Sequence, residues 1–218
     1  MGNISFEIGD HIFVIQNKLV KPMKILSIKS RRVNEVKAPD MVIRLEDNYG
    51  IPFIDYDVKI IKDHTKITYQ RSDYLIEVDP DYKEATLYVH DELALKHALM
   101  NLYSSFIVHH NWGLLIHSSC AIEKGKAHIF SGQSGAGKST AAKLSHPREL
   151  LSDEASILKI TDQGVTVYNS PFNSELDSSD LEEASLASIQ LLHQSLSNRR
   201  EKISKSDALL QLIDKVFY

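Results

Sequence analysis

The sequence predicts an α/β (α+β) chain: a phosphate-binding-loop core entered through antiparallel strands, preceded by a β-rich N-terminal subdomain. Three observations predict it. Residues 132–139 read Gly-Gln-Ser-Gly-Ala-Gly-Lys-Ser, which is the G-x-x-x-x-G-K-[ST] spacing. An apolar strand, 127–130, runs into that loop, and a helix-forming run, 141–144, leaves it. Residues 1–90 instead carry short alternating apolar runs broken by turn signals, the pattern of a strand-rich layer. The predicted division is therefore 1–90 and 91–218.

At 218 residues the chain buries one sizeable core, or a core with a smaller appended subdomain. Its 25 basic and 29 acidic residues, net −4, argue against a protein built to coat nucleic acid. Cys120 is the only cysteine, so no intrachain disulfide forms. The N-terminus Met1-Gly-Asn-Ile-Ser lacks the basic and apolar blocks of a signal peptide, and runs such as 106–108 and 114–116 are too short to cross a bilayer. A cytoplasmic protein with no nucleic acid and no membrane partner is expected.

Ile4, Phe6 and Ile8 alternate before Gly9-Asp10, and 11–15 is a second apolar run, so the two read as a hairpin. Further strands are expected at 41–45, 58–61, 67–69, 74–78 and 85–89, with turns at 48–50 and 79–81. Between them lie Lys18, Lys21, Lys24, Lys29, Arg31, Arg32 and Lys37, offset by Glu35 alone. This run reads as a solvated face, and it would also attract an acidic peptide or a nucleotide.

Asp91 is the N-cap of a helix whose Leu95, Leu99, Leu102 and Phe106 share one face. His109 and His110 follow and, with no third ligand at a recognised spacing, read as a solvated helix end. Next come 114–117 and 119–122, continuous or paired, and a hairpin turn at 123–125 with Gly125 in the left-handed position. Antiparallel strands thus approach the loop, an unusual setting, since common nucleotide-binding α/β folds reach it through parallel strands and crossover helices.

The loop spacing has a chemical reason. Backbone N–H groups must turn inward around phosphate oxygens, and Gly135 and Gly137 take the positive φ this requires. Lys138 adds a point charge for the β- and γ-phosphates, and the Ser139 hydroxyl is placed to ligate magnesium. Gly132, Ser134, Gly135, Ala136, Gly137, Lys138, Ser139 and Thr140 are therefore the expected binding residues for ATP with Mg2+, the helix N-terminus after Thr140 adding its dipole. Residues 150–154, Leu-Leu-Ser-Asp-Glu, read as a short strand ending in two carboxylates. In enzymes with this loop, such an acid holds magnesium or its water, or orients the nucleophile; the plainer reading is a pair of solvated turn acids.

Residues 156–160 and 165–168 read as a hairpin, 169–180 as a loop able to cover a substrate, and 186–192 as a strand. Ser204 caps a final helix running through Leu209, Leu212, Ile213 and Val216.

The loop string looks like that of a transport ATPase. Asp153 stands only fifteen positions after Lys138, which leaves no room for the helical insert of such ATPases, and Leu-Ser-Gly-Gly-Gln occurs nowhere in the chain. The order of His117 on a strand, a turn at Gly125, the loop at Gly132 and the acid pair Asp153-Glu154 resembles the HPr kinase/phosphorylase family. The resemblance spans residues 112–172. Glu154 departs from it, since that family has a second aspartate there, and the C-terminal signature segment associated with phosphorolysis is lacking. In length and layout the chain is similar to the short kinases found with lasso-peptide biosynthesis genes, which phosphorylate a serine hydroxyl of a precursor peptide.

The resemblance implies an HPr kinase-like core and an ATP-dependent serine kinase acting on a peptide or protein. Lys138 would stabilise charge on the transferred phosphoryl group, Ser139 and Glu154 would organise magnesium, and Asp153 would be the base. His117 would orient that carboxylate or bind phosphate, although a strand histidine by itself reads as a core residue. Arg199 and Arg200 lie in a polar turn that reads as solvated surface, with neutralisation of phosphoryl oxygens as the alternative. A kinase for a small hydroxylated metabolite and a nucleotide-gated binding module without an acceptor are the other expectations. The family often assembles, so a homo-oligomer is implied, while no heptad or repeated seam in the chain counts its subunits.

Overall fold

Alternating apolar residues bury every second side chain of a strand, and in the first half of the chain they build one sheet. The computed structural model describes residues 3–17, 31–32, 38–174 and 179–217. Its contacts divide the chain into two compact units, Met1–Phe106 and Ile107–Tyr218.

The first unit holds β1 (Asn3–Ile8), β2 (His11–Asn17), β3 (Arg31–Arg32), β4 (Met41–Glu46), β5 (Lys59–Lys62), β6 (Ile67–Gln70), β7 (Tyr74–Val78) and β8 (Glu84–Val89). They form one sheet in the order β3-β1-β2-β4-β8-β7-β6-β5. The β1–β2 hairpin forms as the alternation predicts, while β4 is inserted parallel to both β2 and β8. Of the basic run between Lys18 and Lys37, only the backbone of Arg31 and Arg32 falls within the described residues.

Helix α1 (Glu92–His109) begins where Asp91 accepts a hydrogen bond from the Ala94 N–H at 2.9 Å, the expected cap. Leu95, Leu99, Leu102 and Phe106 are all buried. Phe106 meets the Phe13 ring at 5.3 Å, and the Tyr103 hydroxyl donates to the Ile8 carbonyl at 3.2 Å. The helix is closed off by Asn111, two residues past its end, whose φ of 52° turns the chain so that the Trp112 N–H reaches the Ile107 carbonyl. His109 and His110 are exposed there.

The second unit holds β9 (Gly113–Glu123), β10 (Lys126–Gly132), α2 (Lys138–Leu144), β11 (Leu150–Ser152), β12 (Ala155–Thr161), β13 (Gly164–Tyr168), β14 (Glu183–Leu192) and α3 (Lys205–Ile213). Pairing runs β10-β14-β13-β12-β9 and returns from β9 to β10, closing a five-stranded barrel, with β11 attached to β9. Residues 114–117 and 119–122 belong to one long strand, β9. Its first half pairs with β12 and its second half with β10. The core inside is apolar and drawn from all five strands: Ile116, Cys120 and Ile122, then Ala127, Ile129, Leu158, Val167 and Ala184.

This overturns the expected fold class. The chain is mostly β, with fourteen strands against three helices among the described residues, and it is not an α/β HPr kinase-like core. The physical reason is connectivity. An α/β sheet needs crossover helices between parallel neighbours, whereas β9–β10 and β12–β13 are joined by hairpins and pair antiparallel. The sheet therefore curls onto itself, and only β10–β14 is parallel among the barrel pairs. The last helix also stops short of Val216. It ends at Ile213, and Val216 instead bridges to Ile116 of β9.

Candidate functional site

Strand β9 organises the site because both of its edges are used. At one edge Ser131 of β10 lies opposite Ser118, so β10 leaves the sheet beside His117 and enters the glycine loop. The Ser131 hydroxyl donates to the His117 carbonyl at 2.9 Å and fixes that exit. At the other edge Ala155 of β12 pairs with His117, and the Ser118 N–H donates to the Glu154 carbonyl. The loop and the acid pair are thus brought to the same point of one strand.

A parallel neighbour completes this end. The carboxyl ends of β10 and β14 come together, Gly132 opposite Leu192. A Cβ on Gly132 would stand 2.7 Å from the Leu192 carbonyl oxygen, and its φ of 155° disfavours any side chain, so only glycine fits. Beyond β14, Gln194 Nε2 donates to the Gly135 carbonyl at 2.9 Å. The loop therefore departs where two parallel strands end side by side.

Within the loop Ser134 and Gly135 are exposed, Ala136 and Gly137 half-buried, and Ser139 and Thr140 exposed at the start of α2. Lys138 points inward, 8% exposed. Its ammonium donates to the Gly132 and Gln133 carbonyls, both at 3.0 Å, and the Ser119 hydroxyl holds the Lys138 carbonyl at 2.9 Å. The amine therefore curls back on carbonyl oxygens, a weaker partner than an anion. Burial first, and then the charge of Lys215, lower its pKa.

Asp153 is 4% exposed. One carboxylate oxygen accepts from the Ser174 N–H at 2.8 Å and the other from the Ser174 hydroxyl at 2.9 Å. Its own N–H donates to Asn173 Oδ1. Glu154, next along the chain, is half-buried. Behind the pair, the buried Ser118, Ser156 and Ser152 hydroxyls form a chain at 2.7 and 2.5 Å, which satisfies polar groups where the acid turn crosses the core.

His117 has its pKa pushed down to about 4, by burial first and then by Lys138 and Lys215. It is neutral at pH 7 and lies tilted against Phe217 with ring centroids 5.7 Å apart. It can therefore accept or donate a hydrogen bond, but it does not bring a positive charge to a phosphate in this state. Lys215 carries no sequence motif, and sequence reasoning missed it, together with Ser174 and Gln194. The signal was the short alternation of Lys215, Val216 and Phe217 after the last helix, which reads equally as a frayed helix end.

Not every expected residue converges. Arg199 and Arg200 are exposed, and Arg199 meets Glu201 at 3.4 Å. Among the described residues no three His, Cys, Asp or Glu side chains stand together to hold a metal. A magnesium ion brought in by phosphates needs fewer protein ligands than that, and a hydroxyl such as Ser139 with one acid such as Glu154 is chemically sufficient. Cys120 lies in the barrel core, where burial raises its thiol pKa to about 12, and it takes no part.

No helix among the described residues is long and apolar enough to cross a membrane. No family model matches the chain, and no curated protein matches it.

Proposed function

We propose that the chain binds Mg-ATP on residues 132–140 and transfers the γ-phosphoryl group to a serine hydroxyl of a peptide or protein. The reading rests on the convergence at His117 of β9: the glycine loop leaves on one edge, and Asp153-Glu154 arrives on the other. Bound Mg-ATP would supply the phosphoryl group. Backbone N–H groups of the loop and Lys138 hold phosphate oxygens, Lys138 exchanging two carbonyl oxygens for an anion, which strengthens its hydrogen bonds. Ser139 and Glu154 hold the magnesium.

Asp153 accepts the proton of the attacking hydroxyl. In the resting chain that carboxylate already accepts a serine hydroxyl, that of Ser174, which is the geometry a general base requires of its substrate. Neutral His117 would orient groups by hydrogen bonding. The same Ser174 contact favours a second reading, a nucleotide-gated module in which nucleotide merely orders the loop read at 169–180.

Intact mass of serine-containing peptides after incubation with the protein, magnesium and ATP decides between them, with lasso precursor peptides a suitable first set. We expect one added phosphate per peptide, abolished by Lys138→Ala and lowered about 10²–10⁴-fold by Asp153→Asn. Unchanged peptides together with retained nucleotide binding would favour the gated module. Undiminished transfer by Asp153→Asn would remove Asp153 from its role.

A further inference from the structure

We propose that Lys215 is a second phosphate-binding cation of this site, carried in on the C-terminal segment. The proposal rests on the nucleotide reading above and extends it to a residue outside the loop.

The backbone places Lys215 there. The His117 N–H donates to the Lys215 carbonyl at 2.7 Å, the Phe217 N–H donates to the Leu115 carbonyl at 3.0 Å, and Val216 bridges Ile116. Residues 113–117 already give their other edge to β12, so the tail must lie on the edge that β10 occupies along 118–123. It therefore continues the line of β10 beyond Gly132, at the point where the loop departs. The tail, bridged to β9 at Val216, takes over the edge that the loop vacates.

The electrostatics of the two amines favour an anion. Lysines are rarely buried without a partner, yet Lys138 is 8% and the Lys215 side chain 13% exposed. Both are near enough to His117 to lower its pKa, after the effect of burial. Like charges held together out of water are unfavourable unless an anion joins them. The Lys215 ammonium has one such contact, Asp214 Oδ2 at 2.6 Å, but Asp214 is 63% exposed and a single carboxylate answers one of three donors. Among the described residues the Lys138 ammonium meets the Gly132 and Gln133 carbonyl oxygens. A polyphosphate, with several negative oxygens in a row, satisfies both amines at once. Among the described tail residues, Val216 and Phe217 are apolar and Lys215 alone offers a cation.

Calorimetric titration of Mg-ATP and Mg-ADP into the full chain tests this, using Lys215→Gln, Lys215→Arg, Lys138→Ala and the unmutated protein. We expect Lys215→Gln to weaken Mg-ATP binding about tenfold, one lost charged contact, with a smaller loss for Mg-ADP. Lys215→Arg should bind within about threefold of the unmutated protein, since it keeps the charge. In the unliganded protein, NMR titration of the His117 ring should show its pKa rising in Lys215→Gln, which a purely structural role for Lys215 would not produce. If Lys215→Gln fails to fold by thermal melting, Lys215→Met, which keeps an aliphatic stem, is measured in its place. Unweakened Mg-ATP binding by that variant, with binding still lost in Lys138→Ala, would overturn the proposal and leave the nucleotide reading intact. An unmutated protein that binds neither nucleotide would overturn both.

Discussion

His117 carries a penalty that the loop and the tail impose on it together. A histidine in an unfolded chain titrates near 6.5, and here burial and two lysines push it down to about 4. Between those values the unfolded chain binds the proton and the folded chain does not, so stability rises with pH across the window. The contribution is present above about pH 6.5 and is lost as pH falls through about 4, a difference of about 3 kcal/mol at most. Carboxylates titrate over part of the same range, so the unmutated protein alone cannot isolate the histidine. His117→Asn removes the titrating ring, and its urea midpoint should fall less steeply between pH 7 and pH 4 than that of the unmutated protein. Parallel slopes in the two proteins would mean that His117 is not held neutral by its surroundings. The sequence offered His117 through its resemblance in spacing, but its charge state was not legible, because burial in the barrel and the approach of Lys215 depend on tertiary pairing.

The element on which the site depends is β9, and its partners explain what sequence patterns reveal and what they conceal. Each strand of the barrel was visible locally: 127–130 as an apolar run, 165–168 as half of a hairpin, 186–192 as an apolar segment. Which strand pairs with which was not, because β10–β14 pairing is set by contacts across more than fifty residues and by no turn. A strand, a glycine loop and a helix in sequence look the same whether the strand joins an open parallel sheet or a closed barrel. The loop's first glycine separates these settings physically. A Cβ at Gly132 would meet the Leu192 carbonyl at 2.7 Å and Ala136 Cβ at 3.1 Å, whereas at Gly125, in the β9–β10 turn, it would meet nothing within 4 Å. Both have positive φ, so both alanine variants are strained. Gly125→Ala should cost about 1 kcal/mol, and Gly132→Ala about 2–3 kcal/mol, because it also forces β10 and β14 apart. Thermal melts give the order, and equal losses would show that β14 does not confine the loop.

At the scale of the whole chain, the division into a sheet unit and a barrel unit means that a ligand's effect can be located. The acids, the loop and Lys215 all belong to Ile107–Tyr218, and so does Trp112, the only tryptophan. Its ring lies 5.5 Å from that of Tyr168, and the Lys159 ammonium stands 5.7 Å from its centre, so its emission reports packing beside β12 and β13. A ligand that binds only the folded state stabilises it by mass action, by about 2.7 kcal/mol at a hundredfold excess over its dissociation constant. Mg-ATP should therefore move the Trp112 unfolding transition to higher urea, and it should leave that of Lys138→Ala in place. Seven of the nine tyrosines lie in Met1–Phe106, and near-ultraviolet dichroism in the same titration follows that unit. A nucleotide shift seen in the tyrosine signal but not at Trp112 would place the binding site outside the barrel. An equal Trp112 shift in Lys138→Ala would mean that the loop lysine is not what holds the phosphates.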